Sequence, residues 1–107
     1  MSTVYVVQEV HGRNILPASS YGNLEVLLPA GQVVLSPGPA VNKLRRKLKK
    51  FGSGDFLLLI GDPVAIGMAA MVAAEMNSGQ VTFLKWDRQE RAYYTVKVDL
   101  RRKTDDD

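Results

Sequence analysis

The segment Phe56–Trp86, FLLLIGDPVAIGMAAMVAAEMNSGQVTFLKW, constrains the fold more than any other part of this chain. Phe56–Ile60 is an unbroken apolar run, as expected of a strand covered on both faces. Gly61-Asp62-Pro63 interrupts it, with Asp62 placed to cap a helix and Pro63 at the first helical position. Residues 64–76 are almost all apolar, with Glu75 the only charge, and Asn77-Ser78-Gly79 supplies a left-handed stop. Val81–Trp86 then returns as a strand. A connection through a helix makes such strands parallel and the crossover right-handed, so the spacing predicts a βαβ unit.

At 107 residues the chain has room for one core, expected over residues 1–100, with a polar, charged tail over 101–107. Apolar residues make up 46% and charged residues 23%, an ordinary globular balance. The absence of cysteine excludes disulfides, thiolate metal sites and a cysteine nucleophile. MSTVYVVQEV lacks the basic start of a signal peptide, and Gln8 and Glu9 end its short apolar run. The long apolar stretch Phe56–Ala74 is cut by Gly61-Asp62-Pro63 into pieces too short for the ~20 residues of a membrane span.

The remaining elements follow from local pattern. Thr3–Val10 reads as an interior strand and His11–Gly22 as a loop. Leu24–Leu28 and Gln32–Ser36 read as short strands joined by a hairpin connection, Pro29-Ala30-Gly31. A helix is expected over Ala40–Phe51. After the polar turn Asp87–Arg91, the residues Tyr94, Val96, Val98 and Leu100 alternate with polar ones, predicting a strand with one covered face. The expected fold class is therefore α/β: a single-domain mixed sheet in the order β-β-β-α-β-α-β-β, with a parallel centre and antiparallel margins.

The two helices differ sharply. The first carries a narrow apolar stripe, Val41, Leu44, Leu48 and Phe51, while Lys43, Arg45, Arg46, Lys47, Lys49 and Lys50 fill every other position from 43 to 50. Only one further cation, Arg13, precedes this cluster, so the net charge of +3 is unevenly spread. The second helix is apolar nearly all round and must be covered on more than one side, by loops or by a second subunit.

The basic helix is the strongest functional signal, since unopposed lysines and arginines neutralise phosphates without reading sequence. A solvated amphipathic face is its plain alternative. Arg88 and Arg91, beside Trp86 and Tyr93, extend the candidate nucleic-acid-binding set, although cross-strand aromatic packing also explains that pair. Ser36, Gly38, Gly61 and Asp62 mark a candidate ligand edge, where helix N-termini meet strand ends. That edge lacks the glycine spacing of a dinucleotide fingerprint or phosphate loop, and Asp62 would repel a bound phosphate. His11 is the single histidine, with Glu9 placed to orient it, but no nucleophile accompanies them. No ligand set for a metal and no cofactor motif is visible.

The stretch LLLIGDPVAIGMAAMVAAEMNSGQVTFLKWDRQERAYYTVKVDL, together with VYVVQEVHGRNILPASSYGNLEVLL, resembles small uncharacterised proteins of tailed phages from marine and environmental samples. Leu59-Ile60-Gly61-Asp62-Pro63 and Leu84-Lys85-Trp86-Asp87-Arg88 carry the resemblance. The family has no assigned activity, so the resemblance brings over no site residues. It implies the cytoplasm of a bacterial host and favours a binding accessory over an enzyme. Two functions are expected. The first is a non-enzymatic binding module that meets a polyanion, DNA or RNA above all, through the basic helix. The alternative is a protein–protein accessory, docking on an acidic or host protein and dimeric through the apolar helix or an edge strand.

Overall fold

The computed structural model describes residues 1–31 and 37–101. Five strands form one sheet: β1 (Thr3–Gln8), β2 (Asn23–Leu28), β3 (Phe56–Leu58), β4 (Gln80–Asp87) and β5 (Ala92–Asp99). Two helices, α1 (Pro37–Lys47) and α2 (Pro63–Met76), and a 3-10 helix over Leu16–Ser20 complete it. The spatial order is β2-β1-β3-β4-β5. β1 pairs parallel with both β2 and β3, β3 with β4 in parallel, and β4 with β5 in antiparallel. The mixed α/β sheet with a parallel centre is as the sequence predicts, and the βαβ unit from Phe56 to Trp86 forms as read.

The chain steps one way across the sheet from β1 to β2, then the other way to β3 and β4. Right-handed crossovers in opposite directions land on opposite faces. The 3-10 helix therefore covers one face, where Ala18 packs with Val4, Val6, Leu58, Ile60 and Leu84. Both α-helices cover the other, against Tyr5, Val7, Leu27, Leu57 and Val81. β1 is buried from Val4 to Gln8 because it lies under both layers.

Several boundaries move. The expected strand at residues 32–36 lies outside the described residues, so β2 is seen as a parallel margin and antiparallel pairing sits at β4–β5. Part of the expected loop 11–22 winds into the 3-10 helix, with Pro17 in its first turn. α1 ends at Lys47, four residues before Phe51, yet Leu48 and Phe51 keep their place on the apolar stripe. The turn continues by hydrogen bonds from Leu48 N–H to Leu44 O (2.8 Å) and from Phe51 N–H to Leu48 O (2.9 Å). Asp55 then pins the exit: its carboxylate accepts from Gly52 N–H (2.9 Å) and from Thr3 N–H (2.9 Å).

The expected covered face of β5 is a correction. Tyr94 is 40%, Val96 42% and Leu100 71% exposed. Tyr94 and Val96 stand opposite Lys85 and Phe83 of β4, on the helical face, but among the described residues the helical layer reaches no further than β4, which leaves both partly exposed. The apolar α2 is likewise only half covered. Ala65, Ala69, Val72 and Ala73 are buried, whereas Met71 is 74% exposed.

Candidate functional site

Four surface features are set by this architecture, and the first is the end of the parallel strands. The order β2-β1-β3 places a switch point between β1 and β3, the place where open α/β sheets bind ligands. A cleft of about 390 Å³ lies there, bordered by Gln8–His11, Arg13, Ala30, Gly31 and Ile60–Asp62. Gln8, only 3% exposed, holds it together. Its side-chain amide donates to Pro29 O (3.0 Å) and to Gly31 O, and its carbonyl accepts from Asp62 N–H (2.7 Å). Three strand ends are thereby tied by one side chain. Gly61 has φ +121°, and a Cβ there would lie 2.5 Å from the Gln8 Cβ, so glycine is required on both counts.

The sequence marks Gly61 and Asp62 at this edge, and both line the cleft. Asp62 caps α2 as read, its Oδ1 accepting from Val64 N–H (2.8 Å). Gly38 does not reach the cleft, and Ser36 lies outside the described residues. Glu9 and His11 do reach the cleft, because β1 runs parallel to the centre, and they lie side by side there with Nε2 to Oε2 at 3.8 Å. Both are well exposed, and no serine, threonine, cysteine or lysine lines the cleft among the described residues. Sequence reasoning misses Gln8; a lone amide closing a buried apolar strand is the signal that identifies it.

The cationic face of α1 is the second feature. Arg45 makes a two-pronged pair with Glu75 of α2, at 2.9 and 3.2 Å. The pair holds the Glu75 carboxyl below its ordinary pKa and the guanidinium above its own. Lys47 Nζ donates to Val26 O (3.0 Å), closing a carbonyl at the β2 edge. Arg46, Lys49 and Lys50 remain exposed and without a salt bridge among the described residues. Lys43, in contrast, is only partly exposed.

Arg88 and Arg91 do not join this face. They sit in the turn after β4, at the C-terminal end of the parallel strands, whereas Lys47–Lys50 lead into the N-terminal end of β3. Trp86 and Tyr93 face each other across the strands, with ring centroids 4.9 Å apart and an edge-on tilt of 69°. This is the cross-strand clamp anticipated for them. Tyr21 adds a hydrogen bond to Tyr93 O (3.1 Å), and burial raises the Tyr93 pKa.

The fourth feature is apolar. A groove of about 220 Å³ runs between α2 and the β4–β5 pair, lined only by Ala70, Met71, Ala74, Gly79, Val81, Phe83, Val98 and Leu100. No polar side chain enters it among the described residues. Those residues also hold no group of three His, Asp or Glu side chains placed for a metal, and no helix long and apolar enough to cross a membrane.

The fold is a small doubly wound α/β sheet that carries a polar cleft, a cationic stripe and an apolar groove. The chain belongs to the phage Pam3 gp32-like protein family, whose model matches residues 2–100. It is thus a small phage protein, in line with the resemblance in its sequence, and the family description states no activity. No curated protein and no solved structure matches the chain.

Proposed function

We propose that the protein is a non-enzymatic protein–protein accessory of the phage, acting in the host cytoplasm, with the groove between α2 and β5 as its contact face. The observation that carries this reading is an apolar groove bordered by the exposed Met71 and Leu100, with the exposed Val96 two residues before its wall residue Val98 on the same face of β5. Exposed apolar surface of this contiguity marks an interaction site. The cationic stripe, by contrast, is isolated from Arg88 and Arg91 and partly spent on Glu75 and Val26. A photo-crosslinking residue at Met71, in host cells producing the phage proteins, is expected to capture polypeptide. The same residue at Arg46 is the control. Absence of protein adducts from Met71 overturns this reading.

A second reading, polyanion binding, is supported by the exposed trio Arg46, Lys49 and Lys50. Changing Arg45, Arg46, Lys49 and Lys50 to Gln should weaken oligonucleotide binding regardless of sequence. The salt slope should flatten by roughly 0.7–0.9 for each phosphate no longer neutralised. Because Arg45 is committed to Glu75, the other three should carry the effect. Fluorescence anisotropy across a salt series checks this, and no wild-type binding at ~50 mM salt removes it.

A further inference from the structure

The two edges of the sheet are finished differently. At β2, the Lys47 ammonium occupies Val26 O. At β5, an eight-residue strand pairs with β4 without a bulge and contains no proline. Leu100 N–H donates to Gly79 O (2.9 Å). The even-numbered residues of β5 therefore bond to β4, and the main-chain groups of Tyr93, Thr95, Lys97 and Asp99 point outward. Tyr93 O is taken by the Tyr21 hydroxyl. Among the described residues no side chain is bonded to the main chain of Thr95, Lys97 or Asp99. An open edge of this kind, without bulge or proline, is a template for another strand.

Resting on the reading of the α2–β5 face as a contact surface, we propose that its occupant is a second copy of this chain, joined by antiparallel β5–β5 pairing about a two-fold axis at Val98. Three observations select that partner and that register. Closed two-fold pairing makes each outward residue face one of the same parity, so Val96, Val98 and Leu100 of both copies fall on one face of a continuous ten-stranded sheet. With the axis at Val98, Lys97 lies opposite the partner's Asp99, and this pair occurs twice; each Asp99 carboxylate also accepts from Gln80 and Arg101 of its own copy, so the lysine joins an existing cluster. An axis at Lys97 instead sets two lysines face to face, which is destabilising. An axis at Val96 needs Tyr93 O, already occupied. The chosen register uses only the outward groups of Lys97 and Asp99 for its central hydrogen bonds, and Val96 meets the partner's Leu100. Both helical layers lie on the same side of the joined sheet. The groove beside each α2 opens toward the seam.

The chain has no cysteine, which makes the register directly measurable. At the axis, a non-hydrogen-bonded pair brings Cα atoms to about 4.5 Å, within disulfide range. Val98→Cys is therefore expected to form a covalent dimer on mild oxidation. Ala92→Cys, roughly 20 Å along the strand from the axis, is not. Sedimentation should give the wild type twice the monomer mass of 11.8 kDa. Lys97→Pro should return it to monomer with the circular dichroism spectrum kept, because the lost N–H faces outward and β4 keeps its ladder. A wild type that stays monomeric overturns the second-copy inference and leaves the contact-face reading standing. A dimer dissolved by Met71→Glu but indifferent to Lys97→Pro and Val98→Cys overturns the strand seam while keeping the groove. A dimer indifferent to all three overturns both.

Discussion

The two α-helices lie side by side on one face of the sheet and obey opposite rules. α1 buries a single stripe, Val41, Leu44, Leu48 and Phe51, and gives its remaining surface to cations. α2 has almost no polar face, yet it leaves Met71 and Val64 in the open. In α1, composition matches environment position by position. In α2 it does not: small alanines at 65, 69 and 73 permit close contact with the sheet, and the uncovered side remains as apolar as the covered one. The mismatch is what supports the proposed contact face, because a solvent-facing methionine stabilises nothing within a lone domain.

The largest expected effect tests which side of α2 is core. Ala73→Asp places a charge at a fully buried position and should cost about 3–5 kcal/mol, whereas Ala70→Asp, at the half-buried groove wall, should cost far less. Equal losses in denaturant melts of the two variants would break the two-sided description. Next comes the α1 stripe. Leu44→Ala should destabilise by about 2–5 kcal/mol, since Leu44 is fully buried between α1 and the sheet. A loss below about 1 kcal/mol would make α1 a loosely attached element instead. Smaller still is the α2 cap: Asp62→Ala should cost about 1 kcal/mol by freeing Val64 N–H. Met71→Glu should leave monomer stability within about 0.5 kcal/mol, read from melts at low protein concentration.

The weakest link between the helices is the Arg45–Glu75 pair. Glu75 has a lowered folded-state pKa, caused by the hydrogen bonds and charge of Arg45. Its stabilisation is therefore present above the unfolded carboxyl pKa and fades as pH falls through the folded one. Glu75→Gln should thus separate from wild type in thermal melts at neutral pH and converge with it in acid. Added salt should shrink the neutral-pH difference, because both side chains are half-exposed. A difference that persists in acid would assign the effect to packing.

Much of this architecture is legible in the chain. The apolar run 56–60, the Asp62-Pro63 start and the Asn77-Ser78-Gly79 stop are local signals, and each acts within a few residues of itself. The candidate sites are less legible because they depend on adjacency. Arg45 reads as a free cation until α2 sets Glu75 beside it, 30 residues away. Arg88 and Arg91 read as an extension of the basic helix until the topology puts them at the opposite end of the strands. Gln8 reads as the point where a strand turns polar, not as the clasp on Pro29, Gly31 and Asp62.

By itself the sequence determined the βαβ unit, the interior place of β1, the amphipathic α1 and the apolar α2. Periodicity, capping residues and chain stiffness suffice for these, since they are short-range properties of the backbone. Only the tertiary structure decided which apolar residues stay uncovered. The alternation Tyr94-Val96-Val98-Leu100 states that one face of β5 is suited to burial, but not whether anything lies above it. That depends on how far the helical layer extends across the sheet, and it stops at β4. Local pattern gives each strand its apolar face, whereas covering that face requires another element at long range, and here this chain places none over β5 among its described residues.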